Sequence, residues 1–208
     1  MATILRPLSY RYQWLYDGIT RLSALAVGGE ARFRQLALQG LPITRETSIL
    51  DLCCGAGQVT RFLTRLSDRV TGLDASPKAI SRAQNNVPQA NYIEAFAEKM
   101  PFADNTFDIV HVSAALHEME PEQFRQILQE VHRILRSGGM FAIVDFHQPT
   151  NLFFLPGLAM FMWLFETETA WQLLKRDLIV ELDNVGFEKC DRILHAGGSL
   201  QVVQAQKG

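Results

Sequence analysis

Residues 50–63, LDLCCGAGQVTRFL, place an acid before a turn that carries two glycines. Glycine permits left-handed backbone or a close approach that a Cβ would block, so Gly55 and Gly57 can offer a ligand bare backbone beside a helix start. Asp51 precedes the turn. A second acid, Asp74, closes the apolar run VTGLD 23 residues later. A carboxylate at that place can accept both hydroxyls of a ribose, as nucleotide-binding folds do; its plainer role is to cap a helix opening at Ser76. The plain dinucleotide fingerprint G-x-G-x-x-G is not met: Cys53 stands where a first glycine belongs, and Thr60 occupies the third glycine position. A carboxylate such as Asp51 would repel a pyrophosphate but attract a sulfonium or ammonium.

Histidine is the side chain best suited to take a proton near neutral pH. His117, in VSAALHEME (112–120), can act as a base or acceptor contact, or merely bond to backbone at a helix start. Glu118 beside it is a weaker candidate, with a solvated helix-end role as the alternative. His147, in DFHQPTN (145–151), can line a pocket or bond to Asp145 or water. Tyr16 can cover a ligand or serve as a core aromatic. His111 and His132 read as structural. Cys53, Cys54 and Cys190 show no metal-ligand spacing, and adjacent cysteines do not suit a disulfide, so free thiols in a reducing compartment are expected.

The elements that must position these residues follow from the pattern. Short apolar runs at 48–53, 70–74, 91–95, 109–113 and 140–146 read as buried parallel strands. Between them, GQVTRFLTRL reads as a helix. Ser76 and Pro77 open another as N-cap and first residue. Residues 121–135 carry an apolar stripe at Phe124, Ile127, Leu128, Val131 and Leu135, and Ser137-Gly138-Gly139 is expected to stop that helix. A helix over about 168–185 and an antiparallel hairpin, 187–194 with 200–204, complete the chain. Residues 10–38 read as helices broken near Gly28-Gly29. Strand–helix alternation requires parallel crossovers and hence an α/β, doubly wound, mostly parallel sheet.

The 208 residues suit one domain (1–208), with an N-terminal helical cap over 10–40 and an apolar insert over 147–170. With 20 Lys+Arg against 22 Asp+Glu and no basic stripe, a nucleic-acid partner is not expected. The N-terminal stretch lacks a long apolar run with a small-residue cleavage site, so a cytoplasmic protein, or one peripheral to a membrane, is expected. Residues 152–165, LFFLPGLAMFMWLF, carry no charge. As a helix they would reach about 21 Å, short of the roughly 30 Å of a hydrocarbon core, and Pro156-Gly157 would interrupt them. They read as a core helix lidding a pocket, or as aromatics offered to a membrane surface in transient contact.

The pieces LDLCCGAG (50–57), GLDAS (72–76), AEKMPFADNTFDIV (97–110), EVHRILRSGGMFAIVDF (130–146) and GGSLQVVQA (197–205) resemble the class I S-adenosylmethionine-dependent methyltransferases. Within that class they are similar to the ubiquinone/menaquinone-biosynthesis C-methyltransferases. The resemblance implies a seven-stranded sheet, S-adenosyl-L-methionine as cofactor, and methylation of a small or lipid-like apolar acceptor such as a prenylated quinone precursor. It further implies that Asp51 holds the glycine loop and the cofactor's amino-acid end, with Cys53, Gly55 and Gly57 lining that end through backbone. Asp74 would take the ribose, Ala75 would pack by the adenine, and Ala97 and Glu98 would lie near its amine. Ser113 would face the reacting side, Tyr16 would cover the cofactor, and His117 and His147 would lie on the acceptor side. Phe96 departs from the family, which commonly has Asp or Asn there. Other readings of the same fold are an O- or N-methyltransferase of another metabolite, a non-catalytic binding protein, and, disfavoured by the missing third glycine, a nicotinamide dehydrogenase.

Overall fold

A computed structural model describes residues 27–156, 159, 163 and 168–208. Seven strands form one sheet: β1 (Ser48–Leu52), β2 (Arg69–Asp74), β3 (Asn91–Glu94), β4 (Phe107–Ser113), β5 (Leu135–Phe146), β6 (Phe187–His195) and β7 (Leu200–Lys207). Their order is β3-β2-β1-β4-β5-β7-β6. The first five run parallel. β7 runs antiparallel to β5, and β6 antiparallel to β7 at the edge. This is the mostly parallel sheet with a C-terminal hairpin that the alternation of elements predicts.

Both faces of the central strands are covered, which is why they read as unbroken apolar runs. Leu50, Leu52, Val110, Val112, Phe141 and Ile143 pack with Phe124, Ile127, Leu128 and Val131 of α4 (Pro121–Ile134). On the other face Ile49 and Ile109 meet Leu38, Val59 and Leu63, and Ala142 and Val144 meet Leu36 and Ala37. Leu63 belongs to α2 (Thr60–Leu63), and residues 36–38 form a 3-10 turn after α1 (Glu30–Phe33). Helix α3 (Pro77–Asn86) starts as expected, with Ser76 Oγ accepting from the Ala79 N–H at 3.3 Å and Pro77 in its first turn.

Four expected elements differ. The helix after the glycine turn shrinks to the four residues of α2, because its amides bond three residues back at both ends (Phe62 to Val59, Leu66 to Leu63). Ser137-Gly138-Gly139 does not stop α4: β5 already begins at Leu135, and the glycines lie at a register shift opposite Phe107–Ile109. The helix expected over 168–185 is two, α5 (Glu168–Leu173) and α6 (Leu178–Val185). Asp177 separates them, its carboxylate accepting from the Ile179 N–H at 3.0 Å as the N-cap of α6. The fourth is the apolar insert. Residues 152–154 form a 3-10 turn, and Phe153 and Trp163 are 85% and 72% exposed, so its described side chains do not form a core helix. No helix among the described residues is long and apolar enough to cross a membrane. The expected N-terminal helices before residue 27 lie outside the described residues.

A side-chain clamp on α4 fixes the link between β3 and β4. Glu130 accepts from the Met100 N–H at 2.7 Å. Arg133 donates to Glu130 at 2.7 Å, to the Phe102 carbonyl at 2.7 Å and to Asp104 at 2.8 Å. The Arg133 hydrogen bonds hold the Glu130 carboxyl below the ordinary carboxylate range, against partial burial and with help from the Met100 amide. A depressed folded-state pKa means the clamp contributes fully above the unfolded value, about 4.3 for Glu, and fades as the pH falls through the lower folded value. Glu130→Gln is therefore expected to cost about 1–3 kcal/mol at pH 7, with the gap from the parent narrowing at pH 3. Thermal unfolding at the two pH values checks this; an equal gap at both would contradict it.

Candidate active site

β1 and β4 lie side by side at the middle of the sheet, and successive crossovers leave them in opposite directions. That reversal opens a crevice beyond their carboxyl ends, where open α/β sheets bind ligands. Both strands run out into left-handed backbone on a non-glycine residue: Cys53 has φ 55° and Ala114 φ 51°. Such conformations cost about 1–3 kcal/mol each and cluster at functional sites. Cys53 thus holds with strain a backbone conformation that glycine would adopt freely.

The glycine loop is held from below and from both sides. Asp51 is buried, and its two oxygens are engaged: Oδ2 accepts from Thr60 Oγ1 at 2.6 Å, and Oδ1 lies 3.2 Å from His111 Nδ1. Asp51 and His111 are cross-strand partners in the β1–β4 register. Asp74 Oδ2 accepts from the Gly55 N–H at 2.9 Å and Oδ1 from the Ser76 N–H at 2.8 Å, so this acid joins the loop to the start of α3. Asn86, at the end of α3, donates to the Ala56 carbonyl at 2.9 Å. Gly57 (φ 81°) lies so near α3 that a Cβ would meet Val87 at 3.3 Å; at Gly55 a Cβ would meet nothing nearer than Gln58 Oε1 at 3.4 Å. Gly57 therefore serves packing, and Gly55 leaves backbone open.

The crevice is acidic. The Cys53 thiol is pushed far up by burial and then by the charges of Asp74, Glu118, Asp51 and Glu98. Cys54 is raised by burial and by Asp51 and Asp74. Both thiols are protonated at neutral pH and poor nucleophiles. Four carboxylates around one side chain favour a ligand with positive charge and oppose a pyrophosphate.

Beside Asp74, the Ala95 N–H donates to the Asp74 carbonyl at 3.1 Å, which brings residues 95–98 next to the end of β2. Ala75 is exposed, Ala97 is buried, and Glu98 accepts from Gln123 Nε2 at 3.2 Å. Phe96 is 63% exposed. Ser113 ends β4, two residues beyond His111; its Oγ is buried and has no hydrogen-bond partner among the described residues. Tyr16 lies outside the described residues.

Asp145 pairs with His117 and not with His147, for which a bond to Asp145 is one of the alternatives the sequence leaves open. His117 Nδ1 lies 2.7 Å from Asp145 Oδ1, and both side chains are buried. Asp145 also accepts from the Leu116, His117 and Phe146 amides. The His117 ring packs against Phe146 at a tilt of 58°, with centroids 4.6 Å apart. His147 instead bonds through Nδ1 to the Gly198 carbonyl at 2.9 Å, in the turn between β6 and β7. Sequence reasoning also missed Thr60, read only as a failed third glycine, and the role of His111 under Asp51. The β4–β5 pairing, Ser113 with Val144, was the available signal for Asp145, since it sets the two strand ends side by side.

Residues 49–139 match the family described as a methyltransferase domain. An uncharacterized methyltransferase of Synechocystis sp. is 55% identical over 99% of this chain and 97% of its own. A 2-phytyl-1,4-naphtoquinone methyltransferase of Thermosynechococcus vestitus is 35% identical over 71% of this chain and 66% of its own. A TehB-like methyltransferase structure from Corynebacterium glutamicum superposes with a TM-score of 0.67 over 97% of this chain and 99% of that chain, at 17% identity, a likeness of fold. An acidic crevice at the sheet's reversal point, floored by open glycine backbone, accords with these relatives: the chain belongs to the class I S-adenosylmethionine-dependent methyltransferases and is related to their quinone-biosynthesis branch.

Proposed function

We propose that the protein methylates a ring carbon of a small, lipid-like aromatic acceptor, such as a prenylated quinone precursor in its hydroquinone form. The observation that carries this reading is the buried His117–Asp145 pair, one oriented proton acceptor against the Phe146 ring. An acceptor that is apolar apart from a hydroxyl suits such a surrounding. The quinone-directed name of the Thermosynechococcus relative and the exposed Phe153 and Trp163 support the same choice. Those aromatics also suit passing contact with a membrane that holds the acceptor.

In this reading Asp74 takes the ribose hydroxyls with the acceptor capacity its two backbone bonds leave. Cys53 and Gly55 present backbone to the amino-acid end, Gly57 lets the loop pack on α3, and Asp51 acts by holding that loop. Ala75 and Ala97 flank the base, with Glu98 nearby, and Ser113 turns its hydroxyl to the reacting side. Tyr16 covers the cofactor. S-adenosyl-L-methionine supplies a methyl group already activated by its sulfonium, so the protein chiefly orients and deprotonates. The acceptor's hydroxyl proton passes to His117, whose ring Asp145 fixes. The bound cofactor would supply the methyl group to the ring carbon and depart as the neutral thioether, and the proton displaced from that carbon would pass to solvent as the aromatic ring is restored. His147 shapes the acceptor-side loop by donating from Nδ1 to the Gly198 carbonyl.

Incubation with methyl-labelled cofactor and a detergent-extracted lipid fraction under reducing conditions is expected to label a lipid-soluble product on carbon. Label found only in water-soluble products would contradict the acceptor assignment. His117→Asn is expected to lower turnover about 100-fold or more, while affinity for S-adenosylhomocysteine stays within about twofold of the parent. Unchanged turnover in this variant would remove His117 as the base.

A further inference from the structure

We propose that Phe96 is the platform on which the cofactor's adenine stacks, and that no side chain reads the base's exocyclic amine. The inference rests on the placement of the ribose at Asp74 proposed above. With the ribose there, the base extends outward over the neighbouring ends of β2 and β3. The residues at that edge are Ala75 on one side and Ala95, Phe96 and Ala97 on the other, joined by the Ala95 N–H to Asp74 carbonyl bond. Ala75 is small and exposed and leaves one face of a planar ring open. Phe96 is 63% exposed and is the aromatic in that short segment.

The polar side chains nearest in sequence are Glu94, within β3 itself, and Glu98, whose Oε1 accepts from Gln123 Nε2 at 3.2 Å, which ties it to α4. The base is therefore gripped by its π face and by backbone. Stacking on an aromatic side chain contributes about 1–3 kcal/mol per base and tolerates a change of base edge, because every base offers a π face. A site that hydrogen-bonds a group rejects analogues lacking it, whereas an apolar platform does not. This chain should thus hold the adenine firmly while remaining nearly indifferent to its amine.

Two ligands separate these effects in calorimetric titration: S-adenosylhomocysteine and its 6-deamino analogue, which has a hydrogen in place of the amine. The parent protein is expected to bind the two within about threefold of each other. Phe96→Ala is expected to weaken both equally, by about tenfold, equivalent to about 1.4 kcal/mol. Phe96→Asp, which restores a carboxylate acceptor, is expected to prefer the amine-bearing ligand by about tenfold. A parent preference for the amine beyond tenfold, or unchanged affinities in Phe96→Ala, would overturn the proposal. A parent that binds neither ligand would instead overturn the cofactor placement, and this proposal with it.

Discussion

One buried carboxylate sets the position of the glycine loop. Asp51 divides its oxygens between the Thr60 hydroxyl, nine residues later, and the His111 ring on the neighbouring strand. A carboxylate out of contact with water is tolerated only when its lone pairs are satisfied. Here that satisfaction pins α2 onto β1 and leaves the turn between them little freedom. Asp74 and Asn86 then fix the turn from the side of α3. The open backbone at Gly55 is the product of these four contacts as much as of the glycine itself.

The same end of the sheet carries the strain and the charge. Left-handed Cys53 and Ala114 end the two strands that flank the reversal point, and four acids act on the Cys53 thiol between them. A site so charged would be unstable around phosphates; it suits a cofactor that brings a sulfonium and an ammonium. At the end of β5 the chemistry changes. His117 and Asp145 are buried, and Asp145 accepts from the amides of Leu116 and His117, in the turn after β4, and of Phe146 on β5. The acids Asp51 and Asp74 thus lie at the ends of β1 and β2, and the buried His117–Asp145 pair lies at the end of β5.

Much of the frame was legible because it is locally encoded. Continuous apolar runs announced strands covered on both faces, and Ser76-Pro77 announced the start of α3 through its cap. Asp51 and Asp74 stood out by their spacing around the glycines. What escaped was set by distance in sequence. The His117–Asp145 pair spans 28 residues, and nothing local to either residue announces it. His111 read as structural, yet its contact with Asp51 places it under the loop, a role visible only in the β1–β4 register. The break between α5 and α6 turned on Asp177, after Lys175 and Arg176, acting as a cap, and tertiary pairing drew Leu135 into β5 where helix periodicity would have kept it in α4.

The Asp51–Thr60 bond is the point on which the cofactor side rests, and an isosteric replacement isolates it. Titration of S-adenosylhomocysteine into folded Thr60→Val should show affinity reduced by about tenfold or more, while Thr60→Ser, which keeps the hydroxyl, should bind like the parent. A folded Thr60→Val protein that binds this ligand as tightly as the parent would contradict the account.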